Sequence, residues 1–329
     1  MKLLRYSRKR ERAALARLGV LVGKDTVADL RAGYALYLAE EKGNPKGEQL
    51  ASIYMPAYIT QFLHMGEPAW EALGEAYVWL SDIARSDPDA LGLSDEALFI
   101  PLAECRLYVP VRPSKLISVA RNYPEYTKHP GRQAGEVPTA FIKTASALVG
   151  PGRDVIKPAA TRELDCETEF AVVIGKKCKH VAEADAYDVV AGYTIVNDLS
   201  ARDVARKERS GGHLLLGKTF DTFAPMGPWM VTRDEIPDPM YLRVITRVNG
   251  EVRQDGNTSS MIHSIPRLIA YFSQMTLMPG DVIATGSPGG GALSRGPGDA
   301  SWYLNAGDVI EAEVEDVGVL VNAVVDEPA

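Results

Sequence analysis

The chain has 329 residues, 46% of them hydrophobic and 24% charged, with a formal net charge of −7. That balance suits a soluble globular protein and argues against nucleic-acid binding, which needs a basic surface. No run approaches the ~20 apolar residues of a membrane span, and three scattered cysteines, Cys105, Cys166 and Cys178, make neither a disulfide framework nor a cysteine-rich zinc site. Reduced thiols fit a cytoplasm, and the basic N-terminus lacks the apolar stretch of a secretory signal.

Residues 1–110 read as a small α/β leader module. Short strands in "LRYSR", "LARLGVLVG" and "TVADL" lead into helical stretches at 31–42 and around 48–86, rich in Ala, Leu and Glu. A proline-punctuated link over 86–115 follows, and the domain boundary is expected there. This half offers no clustered chemistry.

From Ile117 the texture changes to apolar strands separated by Gly, Pro and Asn turns, expected at 116–120, 139–143, 167–174, 191–197, 227–232, 241–248, 281–285 and 309–314. Asn249-Gly250 in "RVNGEV" is a strong hairpin signal, because both central residues must take positive φ. Helices are expected only near 200–209 and 260–274. The fold class is therefore α+β, mainly β.

The stretch "LDCETEFAVVIGKK" places Glu167 and Glu169 two apart before an apolar run. Side chains alternate along a strand, so both carboxylates face the same way and repel. Either the strand end is solvated, or a cation sits between them. A third acid comes from "AGYTIVNDLSARDV", where Asp198 stands at the end of a strand, and Ser200 with Asp203 forms a capping-box pattern for a helix. All-oxygen ligation by Glu167, Glu169 and Asp198 suits a hard cation, Mg²⁺ first, then Mn²⁺ or Ca²⁺.

Lys218 follows a glycine in "LLLGKTFDTF", where an ammonium meets either an anionic substrate or plain solvent. "ATGSPGGG" at 284–291 presents consecutive backbone N–H groups with Ser287, suited to an oxygen anion or to a bare turn. Glu125 and His129 in "RNYPEYTKHP" stand at i and i+4, a pair if that turn is helical and a loop histidine if it is not.

Taken in order, "SVARNY", "PTAFIKTASALVGPG", "LDCETEFAVVIGK", "AGYTIVNDLSARD", "GKTFDTFAPMGPW", "VNGEVRQDGNTSSMI", "MPGDVIATGSPGG" and "AGDVIEAEVEDVG" resemble the fumarylacetoacetate hydrolase family over about 112–326. The resemblance implies a mixed β-roll or sandwich-like catalytic domain over 111–329, a homodimer, and Mg²⁺ or Mn²⁺ on Glu167, Glu169 and Asp198. It implies that Lys218 and the Gly286-Ser287 turn hold the oxygens of a 2-oxo acid. Arg202 and Lys143 match substrate-site positions, with a structural salt bridge an equal reading for Arg202.

One departure concerns the His-x-x-Glu pair that hydrolytic members carry after "NY". Here Tyr126 stands where the histidine is expected and His129 where the glutamate is, so the pair is either reversed, as Glu125 and His129, or absent; His213 is a third candidate base. The first expectation is metal-dependent C–C hydrolysis of an acylpyruvate or related β-diketo acid, with water activated by His129 and Glu125. The alternative is decarboxylation or enol–keto isomerisation of an oxaloacetate-type 2-oxo dicarboxylate, and a non-catalytic oxo-acid binder is the rival from another class.

Overall fold

A computed structural model describes residues 1–126, 135–292 and 300–328. Its first three strands, Lys2–Arg8, Arg17–Val22 and Thr26–Asp29, pair antiparallel in chain order. The last of them runs straight into the helix Leu30–Glu40. Asp29 starts that helix by accepting from the N–H groups of Arg31 at 3.1 Å and Ala32 at 3.0 Å, satisfying donors that have no partner inside the helix. Helices Gly47–Tyr54, Ile59–Met65 and Glu67–Ser86 follow. Gly33 lets the last of these approach closely, since a Cβ there would stand 2.6 Å from the Leu80 side chain.

Strand pairing crosses residue 110 without a break. A twelve-stranded sheet begins at Phe99–Pro101, passes through the three N-terminal strands and continues into Ala224–Thr232 by the register Lys2↔Val231 and Leu3↔Met230. It then runs through Val190–Asn197, Thr168–Ile174, Val282–Ala284, Leu116–Ala120 and Thr139–Lys143. A second, five-stranded sheet is ordered Glu251–Asn257, Arg243–Val248, Val309–Val314, Gly318–Asp326 and Val155–Lys157. Phe170, Val172 and Ile195 of the large sheet share one buried cluster with Val244, Ala312, Val314 and Leu320 of the small one. The two sheets therefore pack face to face in a mixed, mainly β architecture, as a sandwich does.

Several local expectations change. The proline-punctuated link holds two strands, Phe99–Pro101 and Cys105–Tyr108, both joined to the large sheet. At three and four residues they are too short to carry a readable period. Strand Gly318–Asp326 goes unanticipated because a polar residue, Asn322, occupies an inward position between Leu320 and Val324. It is 1% exposed and its amide donates to the carbonyls of Gly150 at 3.0 Å and Arg153 at 2.7 Å. The capping box does not form either. Helix Arg202–Ser210 begins after Ala201 with no side-chain cap. The Ser200 hydroxyl donates to the Asp198 carbonyl instead, and the Asp203 carboxylate accepts from Thr161 Oγ1 at 2.5 Å and the Arg162 N–H at 3.0 Å. A short pairing of Ser200–Ala201 with Leu164–Asp165 keeps Ala201 extended as well, so the helix starts one residue later than a cap at 200 requires.

Candidate active site

Glu167 stands one residue before strand Thr168–Ile174 and Asp198 one residue after strand Val190–Asn197, which pair antiparallel with Thr168 opposite Asn197. The junction is knitted twice: the Asp198 N–H donates to the Glu167 carbonyl at 2.8 Å, and the Glu167 N–H to Asn197 Oδ1 at 3.0 Å. Strand pairing thus brings together acids that lie thirty-one residues apart in sequence. Glu169 is on the same strand, and Asp165 completes a D-x-E-x-E series. All four carboxylates are at most 7% exposed.

Three cations meet them. The Lys218 ammonium bonds Asp198 Oδ2 and, at 3.2 Å, Glu167 Oε2. Arg202 places Nε 2.9 Å from Asp165 Oδ2 and Nη2 2.8 Å from Glu167 Oε1. Lys143 reaches Asp198 Oδ1 at 2.5 Å and the carbonyls of Leu199 at 3.1 Å and Lys218 at 2.6 Å. It is sealed beneath the site and braces both Asp198 and the backbone of Lys218, rather than facing a ligand as expected. Burial pushes its ammonium down to about 8, against the pull of Asp198. Arg202 makes the salt bridges that the sequence left as one of two readings.

The short helix Leu216–Thr219 that carries Lys218 depends on Glu208 of the helix before it. The Glu208 carboxylate accepts from the N–H groups of Leu215, Leu216 and Gly217 at 3.1, 2.7 and 3.0 Å. Gly217 is needed for this packing, because a Cβ there would lie 2.7 Å from the Ala205 nitrogen.

Glu169 is the exception in the cluster. It accepts from Ser118 Oγ at 3.3 Å and from the Gly286 N–H, and has no ion pair among the described residues. Burial first, then the charges of Asp198 and Glu167, push its carboxyl well above the ordinary 4.5. The Gly286 N–H expected to cradle a substrate oxygen is thus committed to Glu169. Gly286 itself, at φ 90°, lies so close to Asn122 that a Cβ would sit 2.9 Å from that side chain.

Glu167, Glu169, Asp198, Arg202 and Lys218 form the floor of a recess of about 500 Å³, part of it open to solvent, lined also by Val119, Ala120, Arg121, Phe141, Arg209 and Ser287. Ser287 is buried in its wall. Two of the expected bases, Glu125 and His213, are not among the residues lining the recess. Glu125 is exposed, at the position where a Cβ on Gly289 would meet it. His213 is 63% exposed, 4.0 Å from Glu208. His129 lies outside the described residues.

Whether a divalent cation suits the site follows from its donors. Four buried carboxylates face three buried cations, so the charges balance only with a further cation or with a proton on one of the acids. Carboxylate oxygens are the donors a hard cation prefers. The residues fit. As the side chains stand, no trio of them among the described residues is set for one ion, and the Lys218 ammonium lies between Glu167 and Asp198 instead.

A family model described as the fumarylacetoacetate (FAA) hydrolase C-terminal matches residues 115–325. With the sheet sandwich and the acid-lined recess, this settles the class: the chain belongs to the fumarylacetoacetate hydrolase family. Among its relatives, "Oxaloacetate tautomerase FAHD2A, mitochondrial" of Homo sapiens is 40% identical over 294 residues, covering 88% of this chain and 87% of that one. The solved maleylpyruvate hydrolase from Sphingobium sp. SYK-6, in complex with manganese(II) and pyruvate, superposes with a TM-score of 0.68 at 30% identity over 100% of both chains. A 2-hydroxyhepta-2,4-diene-1,7-dioate isomerase from Mycobacterium marinum gives a TM-score of 0.60 at 39% identity, over 70% of this chain and 82% of that one. The family's members here are thus tautomerases, isomerases and hydrolases. No helix among the described residues is long and apolar enough to cross a membrane.

Proposed function

We propose that this protein catalyses the enol–keto tautomerisation of a 2-oxo dicarboxylate of the oxaloacetate type. The observation that carries this reading is the Lys218 ammonium, 2% exposed and held between Glu167 and Asp198 on the floor of the recess. The tautomerases among the 40%-identical relatives support it. So does economy. Tautomerisation needs proton transfer and an enolate stabiliser, whereas C–C hydrolysis needs a water-activating base as well.

Glu167, Glu169 and Asp198 would hold Mg²⁺ or Mn²⁺, which when bound supplies Lewis-acid polarisation of a 2-oxo group. Lys218 Nζ donates a hydrogen bond to the oxygen that carries negative charge in the enolate, from a buried position where such a bond is strong. Lys143 keeps that ammonium in place by holding the Lys218 carbonyl and Asp198 together. Arg202 fixes Glu167 and Asp165, so the floor does not rearrange as charge moves.

The test follows enol oxaloacetate by its ultraviolet absorbance, in protein stripped with EDTA and then given Mn²⁺. Faster loss of the enol, with no pyruvate or CO₂ released, is the expected result. Pyruvate with CO₂ from oxaloacetate would replace tautomerase by decarboxylase. The manganese- and pyruvate-bound hydrolase neighbour favours a second reading, acylpyruvate cleavage. Pyruvate from acetylpyruvate without any effect on the oxaloacetate enol would establish it instead.

A further inference from the structure

The recess is layered by charge. Its floor is acidic and its two floor cations, Lys218 and Arg202, are engaged by carboxylates. Two more arginines, Arg121 and Arg209, line the same recess yet are themselves exposed, so they stand at its mouth. We infer that Arg121 and Arg209 form a subsite for the distal carboxylate of the substrate, selecting 2-oxo dicarboxylates over 2-oxo monocarboxylates. The inference rests on the tautomerase reading for the substrate's 2-oxo end only.

Each arginine reaches the mouth by a rigid route. Arg209 is seven residues after Arg202 on one helix, so the two share a face two turns apart, about 10 Å along the axis. Arg202 is pinned at the floor by Asp165 and Glu167, which fixes where that face points. The Cα–Cβ bond of Arg209 tilts toward the helix N-terminus, back toward the floor.

Arg121 leaves the end of strand Leu116–Ala120 with φ 58°, a left-handed conformation unusual for a residue with a long side chain. The neighbouring Asn122 enforces it. Its amide donates to the carbonyls of His263 at 3.0 Å and Thr285 at 2.8 Å, and its Oδ1 accepts from the His263 N–H at 2.8 Å. An acidic floor repels a free carboxylate, so a second carboxylate on the substrate is best placed at the far end, under guanidinium groups that bind it in a planar fork. A monocarboxylate leaves that end unused.

Malate and lactate serve as probes, because they share the 2-hydroxy acid head and differ by the distal carboxylate. Calorimetry on the Mn²⁺-treated protein should show malate binding at least about tenfold tighter than lactate, as one charge-assisted pair allows. Arg121→Gln and Arg209→Gln should each bring that ratio toward one while leaving lactate affinity unchanged, which also reports that the fold is intact. Arg121→Lys should restore part of the preference. A wild-type ratio near one, no measurable binding of either acid, or an equal loss for both acids in the variants would overturn the subsite. A malate preference that the variants abolish, in a protein that does not accelerate enol loss, would keep the subsite and remove the tautomerase reading.

Discussion

Two of the buried acids in this molecule, Asp29 and Glu169, are opposite in kind because of their surroundings. Asp29, 2% exposed, spends its oxygens on the Tyr6 hydroxyl at 2.9 Å, two N–H groups of the helix it starts, and Arg17 Nε at 3.5 Å. Every neighbour is a donor, so the burial is structural. Glu169, equally buried, has a hydroxyl and one backbone N–H for donors and two other carboxylates close by. An acid whose donors are complete holds a fold together; one left short of positive charge marks a place prepared for a ligand.

Substitutions can break that contrast or sharpen it. The largest effect is expected from Lys218→Met, which removes the enolate's donor. Turnover of the oxaloacetate enol should fall by about 100-fold or more, as it does when one oxyanion donor is lost. Unchanged kcat would leave the lysine as a counter-ion only, no different in kind from Arg17. Next comes Glu169→Gln. Titration should show Mn²⁺ binding weakened at least about tenfold, while the metal-free protein melts at or above the wild-type temperature, because the cost of ionising a buried carboxyl beside two others has gone. A fall in that melting temperature would put Glu169 in the same structural class as Asp29.

The smallest effect belongs to Asp29→Asn, since asparagine can still cap the helix and accept from Tyr6. Stability should change by only about 1 kcal/mol and tautomerase activity not at all. The pH dependence carries the information. Burial, the largest influence, holds the Asp29 carboxyl above its ordinary 3.8, although Ala32, Arg17 and Tyr6 pull the other way. The folded protein therefore keeps this proton to higher pH than the unfolded chain does. Its stabilising effect is complete below about 3.8 and is lost as pH rises through the folded value. The stability of wild type relative to the variant, read from urea unfolding, should decline as pH rises above about 4; a relative gain would mean that folding lowers this pKa.

Much of the fold was legible where local rules and tertiary demands agree. The hairpin at Asn249-Gly250 forms, with both residues at positive φ. The apolar runs at 116–120, 139–143 and 309–314 are strands with those bounds. Legibility failed where a buried polar group replaced an apolar one, as at Asn322, and where a cap pattern at Ser200 was overridden by strand pairing with Asp165. In the site, alternation along "DCETE" already put Asp165 on the face of Glu167 and Glu169, and the seven-residue spacing of Arg202 and Arg209 was equally readable. Neither carried weight without the recess that gives those faces a meaning.

The sequence by itself determined many of the strands, the common face of Glu167 and Glu169, and the motif order that marks the family, because these depend on neighbours a few residues apart. Tertiary structure alone decided which charges meet. Lys143 bracing Lys218, Gly286 serving Glu169, and the surplus of one carboxylate on the floor all join segments up to about a hundred residues or more apart. The energy of a charge depends on what surrounds it in space, and chain order does not record that.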